Sequence, residues 1–338
     1  GKTTTTTIMT HILKVAGINC FAFMGGISNN YHSNLLLGNA NKESWFIVEA
    51  DEFDRSFLHL KPFYSIITSC DADHLDIYGN KNEVKEGFSL FAKNNNKEGK
   101  LIVNKNVDND LSLPSNKEVY SLNLSTDYVV ENVHFKNFKA QFDFIGPDFS
   151  IHAIEFGVSG WHNVENAMAA IAVAKKIGIS DENIKDALRS FKGVKRRFDV
   201  RINSGKTVFI DDYAHHPEEL RAIISSVRKE IPNRKICGVF QPHLYSRTRD
   251  FAKEFAQSLE MLDEILLLDI YPAREEPIEG INSNLLINLM NSARNAKVVT
   301  KDELLNLVRK ESFEVILTMG AGDIDRLIEP IEEILRNK

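Results

Sequence analysis

The sequence begins Gly1-Lys2-Thr3-Thr4-Thr5-Thr6-Thr7-Ile8-Met9-Thr10. Its first three residues match the end of the phosphate-binding motif G-x-x-x-x-G-K-[ST], in which the lysine contacts the β- and γ-phosphates and the hydroxyl binds Mg²⁺. A helix that begins directly behind such a loop also directs free backbone N–H groups at the anion. The stretch therefore predicts a nucleotide-binding α/β domain, although three residues alone are equally consistent with a chance match.

Composition excludes several classes of protein. The chain has 338 residues and a formal net charge of −6, which argues against a broad basic surface for nucleic acid or for an anionic membrane. No apolar run approaches the roughly 18 residues of a membrane-spanning helix. Cys20, Cys70 and Cys237 are far apart and form no metal-binding pattern, so we expect free thiols in a reducing compartment. We therefore expect a cytoplasmic protein with neither a nucleic-acid nor a membrane partner.

Hydrophobic periodicity predicts a mostly parallel sheet in the first half of the chain. The predicted helices cover residues 2–16, 82–93, 161–177 and 181–190, and the predicted strands cover 20–23, 44–49, 64–68 and 101–104. Residues 119–157 alternate in the manner of antiparallel strands, which indicates a small β insertion. This half is interpreted as an ATPase domain with a phosphate-binding loop, over residues 1–195.

The second half has a more regular order. Strands predicted to start near residues 207, 235, 264, 296 and 314 alternate with helices over 217–230, 249–261, 284–291, 302–309 and 324–336. Such alternation is typical of a doubly wound, Rossmann-like α/β domain. The basic, glycine-containing break at 191–200 marks the boundary, so this domain is assigned to residues 196–338.

Acidic and polar clusters follow two apolar strands of the first domain. In an open α/β sheet, ligands bind beyond the carboxyl ends of the strands, which is where these clusters are expected to lie. Glu49-Ala50-Asp51-Glu52 ends one strand, and Asp73-His74-Leu75-Asp76 follows the next. A glutamate and a histidine there would complete an Mg²⁺ site with Thr3, because this ion takes few protein ligands. Each cluster alone reads more simply as a solvated loop or a helix cap. Their positions at successive strand ends favour the metal site.

Four further segments carry polar side chains, and the first two of them have two readings each. Asn163 at the start of a helix is either a cap or, through its amide, a contact to an adenine edge. The run Lys195-Arg196-Arg197 is either a solvated surface or a source of positive charge for a phosphate. The segments 211–217 and 241–248 follow two strands in the same topological position, so we expect them to line one mouth. An arginine there would suit a carboxylate.

Nine segments, in order and over the whole chain, resemble the Mur ligase family. They are Gly1-Lys-Thr-Thr-Thr, Glu49-Ala-Asp-Glu with Ser56-Phe-Leu-His-Leu60, Ala72-Asp-His-Leu-Asp76, His162-Asn-Val-x-Asn-Ala167, Arg196-Arg-Phe198, Asp211-Asp-Tyr-Ala-His-His-Pro217, Phe240-Gln-Pro-His243, Tyr271-Pro-Ala-Arg-Glu-Glu-Pro277 and Gly320-Ala-Gly-Asp-Ile324. Each is weak alone, but nine in order are specific. The second and the last four resemble the alanine-adding branch most closely.

The resemblance implies an ADP-forming amide ligase of peptidoglycan synthesis. In that reading ATP phosphorylates the carboxylate of UDP-N-acetylmuramate, and L-alanine attacks the resulting acyl phosphate. The implied cofactors are ATP and Mg²⁺, with Mn²⁺ as a substitute.

The resemblance also implies a role for individual residues. The ATP phosphates would be bound by Gly1, Lys2, Thr3, Thr4 and Arg197, the adenine by Asn163 and Asn166, and the ribose by Asp212. The metal would be bound by Thr3, Glu49 and His74. The amino-acid side of the site would be formed by His74, Tyr213, His215, His243 and Arg247. Lys2, Glu49, His74 and Arg197 would be the catalytic residues.

The chain departs from the family pattern in three respects. Ser69 stands where an asparagine is common, and Leu244 where an arginine is common, which leaves Arg247 to hold the amino-acid carboxylate. The chain also lacks an initiator Met and most of the phosphate loop. We therefore expect a preceding UDP-sugar-binding domain to be missing, and we expect little ligase activity from this chain by itself.

Three alternative functions remain open at the level of sequence. One is a recycling ligase that attaches a whole tripeptide to the same nucleotide sugar. The others are an ATPase with a phosphate-binding loop but no amide chemistry, and a non-catalytic pair of domains.

Overall fold

The computed structural model describes residues 1–52, 55–70, 80–123, 125–291 and 295–338, without the side chain of Lys81. The chain forms two compact units, Gly1–Val194 and Lys195–Lys338. Among the residues described, none of the helices combines the length and the apolar character that a membrane span requires.

The threonine-rich stretch forms helix α1 (Lys2–Val15), as predicted. Threonine is a poor helix former, so burial of the apolar face must hold this helix. The hydroxyls of Thr7 and Thr10 find acceptors one turn back, at the carbonyl oxygens of Thr3 and Thr6, at 2.7 and 2.8 Å. Ile8 and Ile12 are fully buried in the core below. The helix ends before Gly17, which has a φ of 71°.

A three-stranded sheet lies beside α1. It contains β1 (Cys20–Ser28), β2 (Ser33–Leu36) and β3 (Trp45–Val48) in the order β2-β1-β3. Strand β1 is parallel to β3 and antiparallel to β2. Sequence reasoning ended β1 at Phe23 and missed β2, because it treated the glycine pair 25–26 as a loop.

The second sheet of this unit has six strands. In spatial order they are β4 (Tyr64–Ile67), β5 (Lys100–Asn104), β6 (Lys117–Ser121), β7 (Tyr128–Lys136), β8 (Lys139–Ile145) and β9 (Ser150–Phe156). Strands β4 to β7 pair in parallel, whereas β7, β8 and β9 pair antiparallel. The predicted antiparallel strands are present as β7, β8 and β9, which extend the parallel sheet. The antiparallel prediction is wrong for residues 119–121, which belong to the parallel strand β6.

Helices complete the first unit. They are α2 (Lys81–Lys93), α3 (Lys105–Asp110), α4 (Trp161–Lys176) and α5 (Asp181–Ser190), with a 3-10 turn at Ser56–His59. The alanine-rich α4 is buried along most of its length and packs in the same core as α1. Its first turn thereby lies near the N-terminus of α1.

Two asparagines between β1 and β2 hold the last residues of this unit. Asn30 donates through Nδ2 to Ser190 O and accepts through Oδ1 from Lys192 N, both at 2.8 Å. Asn29 donates from its backbone to Gly193 O at 3.0 Å and from its amide to Lys192 O at 3.1 Å. Ser28 forms a β-bridge with Val194. The chain is therefore held in place up to the end of the unit.

The second unit contains a single six-stranded sheet. Its strands are β10 (Asp199–Asn203), β11 (Val208–Asp212), β12 (Ile236–Phe240), β13 (Glu264–Leu267), β14 (Ala296–Val298) and β15 (Val315–Met319), in the order β10-β11-β15-β12-β13-β14. Only β10 pairs antiparallel. The doubly wound arrangement is confirmed, with β10 as an edge strand that the sequence did not predict.

The helices of the second unit are α6 (Pro217–Glu230), α7 (Tyr245–Asp250), α8 (Ala252–Leu259), α9 (Ser283–Asn288), α10 (Lys301–Lys310) and α11 (Ile328–Arg336), and a 3-10 turn covers Asp323–Leu327. The single helix predicted over 249–261 is wrong. Two helices occupy this region because the backbone leaves helical geometry at Phe251, whose φ is −119°. The loops after β11 and β12 lie at the same edge of the sheet.

Candidate active site

The N-terminus of α1 meets α4 and the end of β4. A Cβ atom on Gly1 would lie 2.6 Å from Asn166 Oδ1 and 2.9 Å from Thr68 Oγ1. The hydroxyl of Thr5 donates to the same amide oxygen at 3.3 Å. Two predicted nucleotide-binding residues, Gly1 and Asn166, therefore lie side by side. Sequence reasoning did not include Thr5 or Thr68 in the site.

Glu49 lies just beyond β3 and faces α1. Its carboxylate accepts a hydrogen bond from Thr3 Oγ1 at 2.9 Å and another from Gly25 N at 2.7 Å. A Cβ atom on Gly25 would lie 2.3 Å from Glu49 Oε2, so this approach needs glycine. The arrangement gathers two oxygen donors of the type that Mg²⁺ prefers.

The third predicted metal ligand, His74, lies outside the described residues. So do Asp73 and Asp76, which belong to the same polar cluster. Within the ranges that the structure describes, no group of three or more His, Cys, Asp and Glu side chains is placed to hold a metal. The role of His74 remains a prediction.

Lys2 is paired with carboxylates of the same unit. Its ammonium lies 3.4 Å from Asp51 Oδ1 and contacts Glu52 Oε2 more closely. Burial lowers the pKa of Lys2, but the hydrogen bonds and negative charges of Glu52 and Asp51 together raise it by more than burial lowers it. The pKa of Lys2 is therefore above its ordinary value. The ammonium is therefore charged, and the site neutralises it with its own residues.

The predicted adenine residues occupy the start of α4. Asn163 and Asn166 are both buried, and Asn163 Nδ2 donates to Ser159 O at 2.7 Å. The alternative reading of Asn163 as the helix cap is wrong, since the N-cap residue is Gly160, with a φ of 101°. Thr4, predicted to contact phosphate, is 8% exposed.

A polar pair beside this segment was missed by sequence reasoning. Asn104, at the end of β5, donates through Nδ2 to Glu165 Oε1 at 2.7 Å. Burial raises the pKa of Glu165. The sequence feature that could have indicated Asn104 is its position at the carboxyl end of a predicted parallel strand.

Asp212 ends β11 in the second unit and orders the loop around it. Its carboxylate accepts from Phe198 N at 2.7 Å and from Ala214 N at 2.8 Å. Burial raises the pKa of Asp212 to about 6, although the positive charge of Arg197 and the two N–H donors oppose the change. Phe198 is held with a φ of 47°.

The two arginines before this loop have different environments. Arg196 donates through Nε to Asp211 Oδ2 at 3.1 Å and through Nη2 to Gly320 O at 2.6 Å. The guanidinium carbon of Arg197 lies 4.9 Å from the centre of the Tyr213 ring. The guanidinium carbon of Arg196 lies 5.4 Å from the same ring centre. Both arginines therefore lie beside a predicted substrate-binding tyrosine, and Arg196 in addition holds Asp211 and Gly320.

His215 is held by two acceptors. Its Nδ1 atom lies 3.0 Å from Tyr213 O and 3.3 Å from Glu219 Oε2. The same carboxylate accepts from the backbone N–H groups of His215 and His216 at 2.9 and 3.1 Å. Burial raises the pKa of Glu219, but His215, Arg197 and these N–H donors together lower it by more than burial raises it. The pKa of Glu219 is therefore below its ordinary value.

Sequence reasoning missed Glu219. The available signal was its position in the first turn of α6, where a glutamate reaches back to the N-cap backbone. Only the structure shows that this carboxylate also contacts the His215 ring.

His243 and Arg247 complete the predicted mouth. The His243 ring centre lies 6.1 Å from that of His215 and 5.6 Å from that of Tyr271. Burial lowers the pKa of His243 to about 4, and the nearby Arg247 and His215 lower it further. In the described parts of the chain, the Arg247 guanidinium makes no hydrogen bond and no ion pair. Leu244, at the start of the same helix, has a φ of 72°.

Comparison with known proteins matches both units. Residues 1–174 match the model of the Mur ligase middle domain, and residues 196–322 match that of the Mur ligase, glutamate ligase domain. The chain is 45% identical over 337 residues to UDP-N-acetylmuramate--L-alanine ligase of Parabacteroides distasonis, covering 99% of this chain and 72% of that protein. It is 47% identical to the same-named enzyme of Cytophaga hutchinsonii, with 98% and 72% covered.

A solved structure agrees. The UDP-N-acetylmuramate-alanine ligase MurC of Thermotoga maritima is similar with a TM-score of 0.81 and 27% identity, and the match covers 100% of this chain and 73% of that one.

Proposed function

Because this chain belongs to the Mur ligase family, we propose that it joins L-alanine to the carboxylate of UDP-N-acetylmuramate, with conversion of ATP to ADP and phosphate. The observation that carries the proposal is that the chain is 45% and 47% identical, over nearly its whole length, to two enzymes named UDP-N-acetylmuramate--L-alanine ligase. The reaction is proposed to take place in the cytoplasm, during synthesis of peptidoglycan precursors.

The chemistry requires activation of a carboxylate. A carboxylate is a poor electrophile until one of its oxygens becomes part of a phosphate leaving group, so phosphoryl transfer comes first and attack by the amine follows. Catalysis of both steps depends on positioning and charge neutralisation. The charged ammonium of Lys2 suits the transferred phosphoryl group, once the phosphate oxygens replace Asp51 and Glu52.

The remaining residues are proposed to bind the substrates. Gly1, Thr3 and Thr4 would contact the ATP phosphates at the start of α1, Asn163 and Asn166 the adenine, Arg197 a phosphate and Asp212 the ribose. Tyr213, His215, His243 and Arg247 would bind the amino acid, with Arg247 on its carboxylate.

A divalent cation fits the oxygen donors of Thr3 and Glu49. Mg²⁺, or Mn²⁺ in its place, would be held by these two residues, with His74 as a proposed further ligand, and would neutralise charge on the phosphate oxygens. Gly25 contributes by holding the Glu49 carboxylate toward Thr3.

Release of ADP from the full-length gene product tests the proposal. ATP and Mg²⁺ would be supplied with and without UDP-N-acetylmuramate, and with L-alanine, glycine, L-serine or the peptidoglycan tripeptide in turn. We expect release to require the nucleotide sugar and to be fastest with L-alanine. Preference for the tripeptide would instead identify a recycling ligase, and release that is indifferent to both substrates would leave only an ATPase.

A further inference from the structure

Residues 271–277, which follow β13, form one of the nine family-like segments, yet none of the proposed binding residues lies among them. Their first residue is joined to the loop after β12. Tyr271 N donates to Pro242 O at 2.8 Å, and Leu244 N donates to Tyr271 O at 2.9 Å. The Tyr271 ring stacks on that of His243, with centres 5.6 Å apart. The two loops are therefore connected immediately before α7 begins.

Helix α7 starts without a capping side chain of its own. Its N-cap residue is Leu244, whose side chain cannot accept a hydrogen bond and whose φ is 72°. A leucine rarely adopts a positive φ, so the surroundings must hold it there. Besides the bond from its N–H to Tyr271 O, its carbonyl oxygen accepts from Thr248 N at 3.1 Å and from Thr248 Oγ1 at 2.8 Å. Neighbouring groups therefore fix the start of the helix.

Glu275 supplies the missing cap from the loop after β13. Its carboxylate accepts a hydrogen bond from Ser246 N at 3.0 Å and a closer one from Ser246 Oγ. Burial raises the pKa of Glu275, but hydrogen bonds from Ser246 and Tyr245 and the charge of His243 together lower it by more than burial raises it. A charged carboxylate at this position also interacts favourably with the N-terminus of a helix.

We propose that Glu275 is a positioning residue, which holds the first turn of α7 and thereby presents the Arg247 guanidinium to the carboxylate of the amino-acid substrate. This inference rests on the proposed ligase function, in which Arg247 binds that carboxylate. Arg247 directly follows Ser246, the residue that Glu275 holds through both backbone and side chain.

Two features make Arg247 dependent on this contact. The helix spans only six residues, Tyr245–Asp250, and so short a helix is not stable without outside support. In the part of the chain that the structure describes, the Arg247 guanidinium has no hydrogen bond or ion pair that would orient it. Its direction is therefore set by the backbone of α7. A guanidinium must be correctly oriented to pair with both oxygens of a carboxylate.

The first test compares Glu275→Gln with Glu276→Gln in the full-length gene product. Glutamine has one acceptor oxygen instead of two and no charge, so the first turn of α7 is held less firmly. KM for L-alanine should rise by roughly tenfold. The maximal rate and KM for ATP should stay within about twofold, because only binding of the amino acid is weakened. Glu276 is exposed, and its replacement should leave all three values unchanged.

A double substitution separates positioning of Arg247 from general support of the fold. In Arg247→Met the guanidinium is absent, so its orientation no longer matters. In that background, Glu275→Gln should change kcat/KM for L-alanine by less than about twofold, against roughly tenfold when Arg247 is present. Residues that act through one another show such non-additive effects.

Ser246→Ala tests the same contact from its other side. It removes the hydroxyl that donates to Glu275 and leaves the backbone N–H in place. KM for L-alanine should therefore rise by a smaller factor, roughly threefold, and should not rise in the Arg247→Met background.

Three outcomes would overturn the inference while leaving the proposed function intact. They are an unchanged KM for L-alanine in Glu275→Gln, an equal rise of KM for ATP, and a tenfold loss that persists in the Arg247→Met background. An unsubstituted protein that released no ADP with any amino acid would instead refute the proposed function.

Discussion

The positively charged side chains of the two candidate binding regions have different surroundings. In the first unit, Lys2 is neutralised by Asp51 and Glu52 before any ligand arrives. In the second unit, the described residues leave the Arg247 guanidinium without a hydrogen bond or an ion pair. A phosphate at Lys2 must therefore exchange with existing partners, whereas a carboxylate at Arg247 meets an uncompensated charge.

The carboxylates show the opposite pattern. Glu49 is oriented by Gly25 and Thr3 toward the start of α1 and is available to a cation. Asp212 uses its oxygens on the backbone N–H groups of Phe198 and Ala214. The first unit thus has a carboxylate beside Thr3, where we propose a metal, and the second unit uses a carboxylate to hold its loop. Four substitutions test these contrasts.

The largest effect is expected from Lys2→Ala. Removal of one charged group that stabilises the transition state costs about 10² to 10³-fold in rate, and we expect the upper end because Lys2 is proposed to contact the transferred phosphoryl group. ADP release under saturating substrates measures the change. Lys14→Ala, in the last turn of the same helix, is the control and should keep the original rate. Equal rates for the two variants would contradict the role of Lys2.

Asp212→Asn should change how stability depends on pH. The pKa of Asp212 is about 6 in the folded state against 3.8 ordinarily, so the folded protein binds more protons between these values. Stability from this group is therefore lost as pH rises from about 4 to about 6, by an amount of the order of 3 kcal/mol. Urea unfolding across this pH range should show a smaller loss of unfolding free energy in Asp212→Asn than in the unsubstituted protein. A parallel pH dependence in both proteins would refute the contribution.

Arg247→Lys should weaken binding of the amino acid. Lysine keeps the positive charge but loses the planar fork that pairs with both carboxylate oxygens, so KM for L-alanine should rise by roughly 30-fold. The maximal rate should change much less. Arg249→Lys on the same helix, where the arginine is exposed and pairs with Asp250, should leave KM within about twofold. A rise in both variants would point to disruption of the helix.

The smallest effect is expected from Gly25→Ala. The new methyl group would lie 2.3 to 2.5 Å from the Glu49 carboxylate oxygens, so the side chain must turn away from Thr3. The Mg²⁺ concentration for half-maximal activity should rise by roughly tenfold, since one oriented ligand is lost. Gly205→Ala, where a methyl group meets nothing within 4 Å, is the control. An unchanged Mg²⁺ requirement would show that the orientation of Glu49 does not matter.

Much of the fold was predictable because strands and helices alternate with clear periods. The two missed strands, β2 and β10, lack such a pattern. In β2 each residue is exposed or half-buried, and β10 begins at the end of the basic break at 191–200, which the sequence indicated as a domain boundary. Pairing with a neighbouring strand, which periodicity does not reveal, determines both.

The placement of polar residues at strand ends was predictable, and the contacts between them were less so. Glu49 follows β3 and contacts Thr3 in the first unit, and Asp212 ends β11 of the second unit, just before the loop that contains His215. The approach of Glu49 to Gly25 and the contact of Glu219 with His215 depend on side-chain direction, so a linear sequence does not reveal them. The pairing of Lys2 with Glu52 was also unforeseen, because the motif describes the lysine only with phosphate bound.

The asparagine contacts at the end of the first unit leave little freedom in the connection that follows. Val194 is held by Ser28 on one side, and Arg196 is held by Asp211 and Gly320 on the other. Lys195 alone stands between these two sets of contacts. The stretch of chain that belongs to neither set is therefore about one residue long, and an insertion or deletion at Lys195 would change the length of the connection without removing any of these contacts.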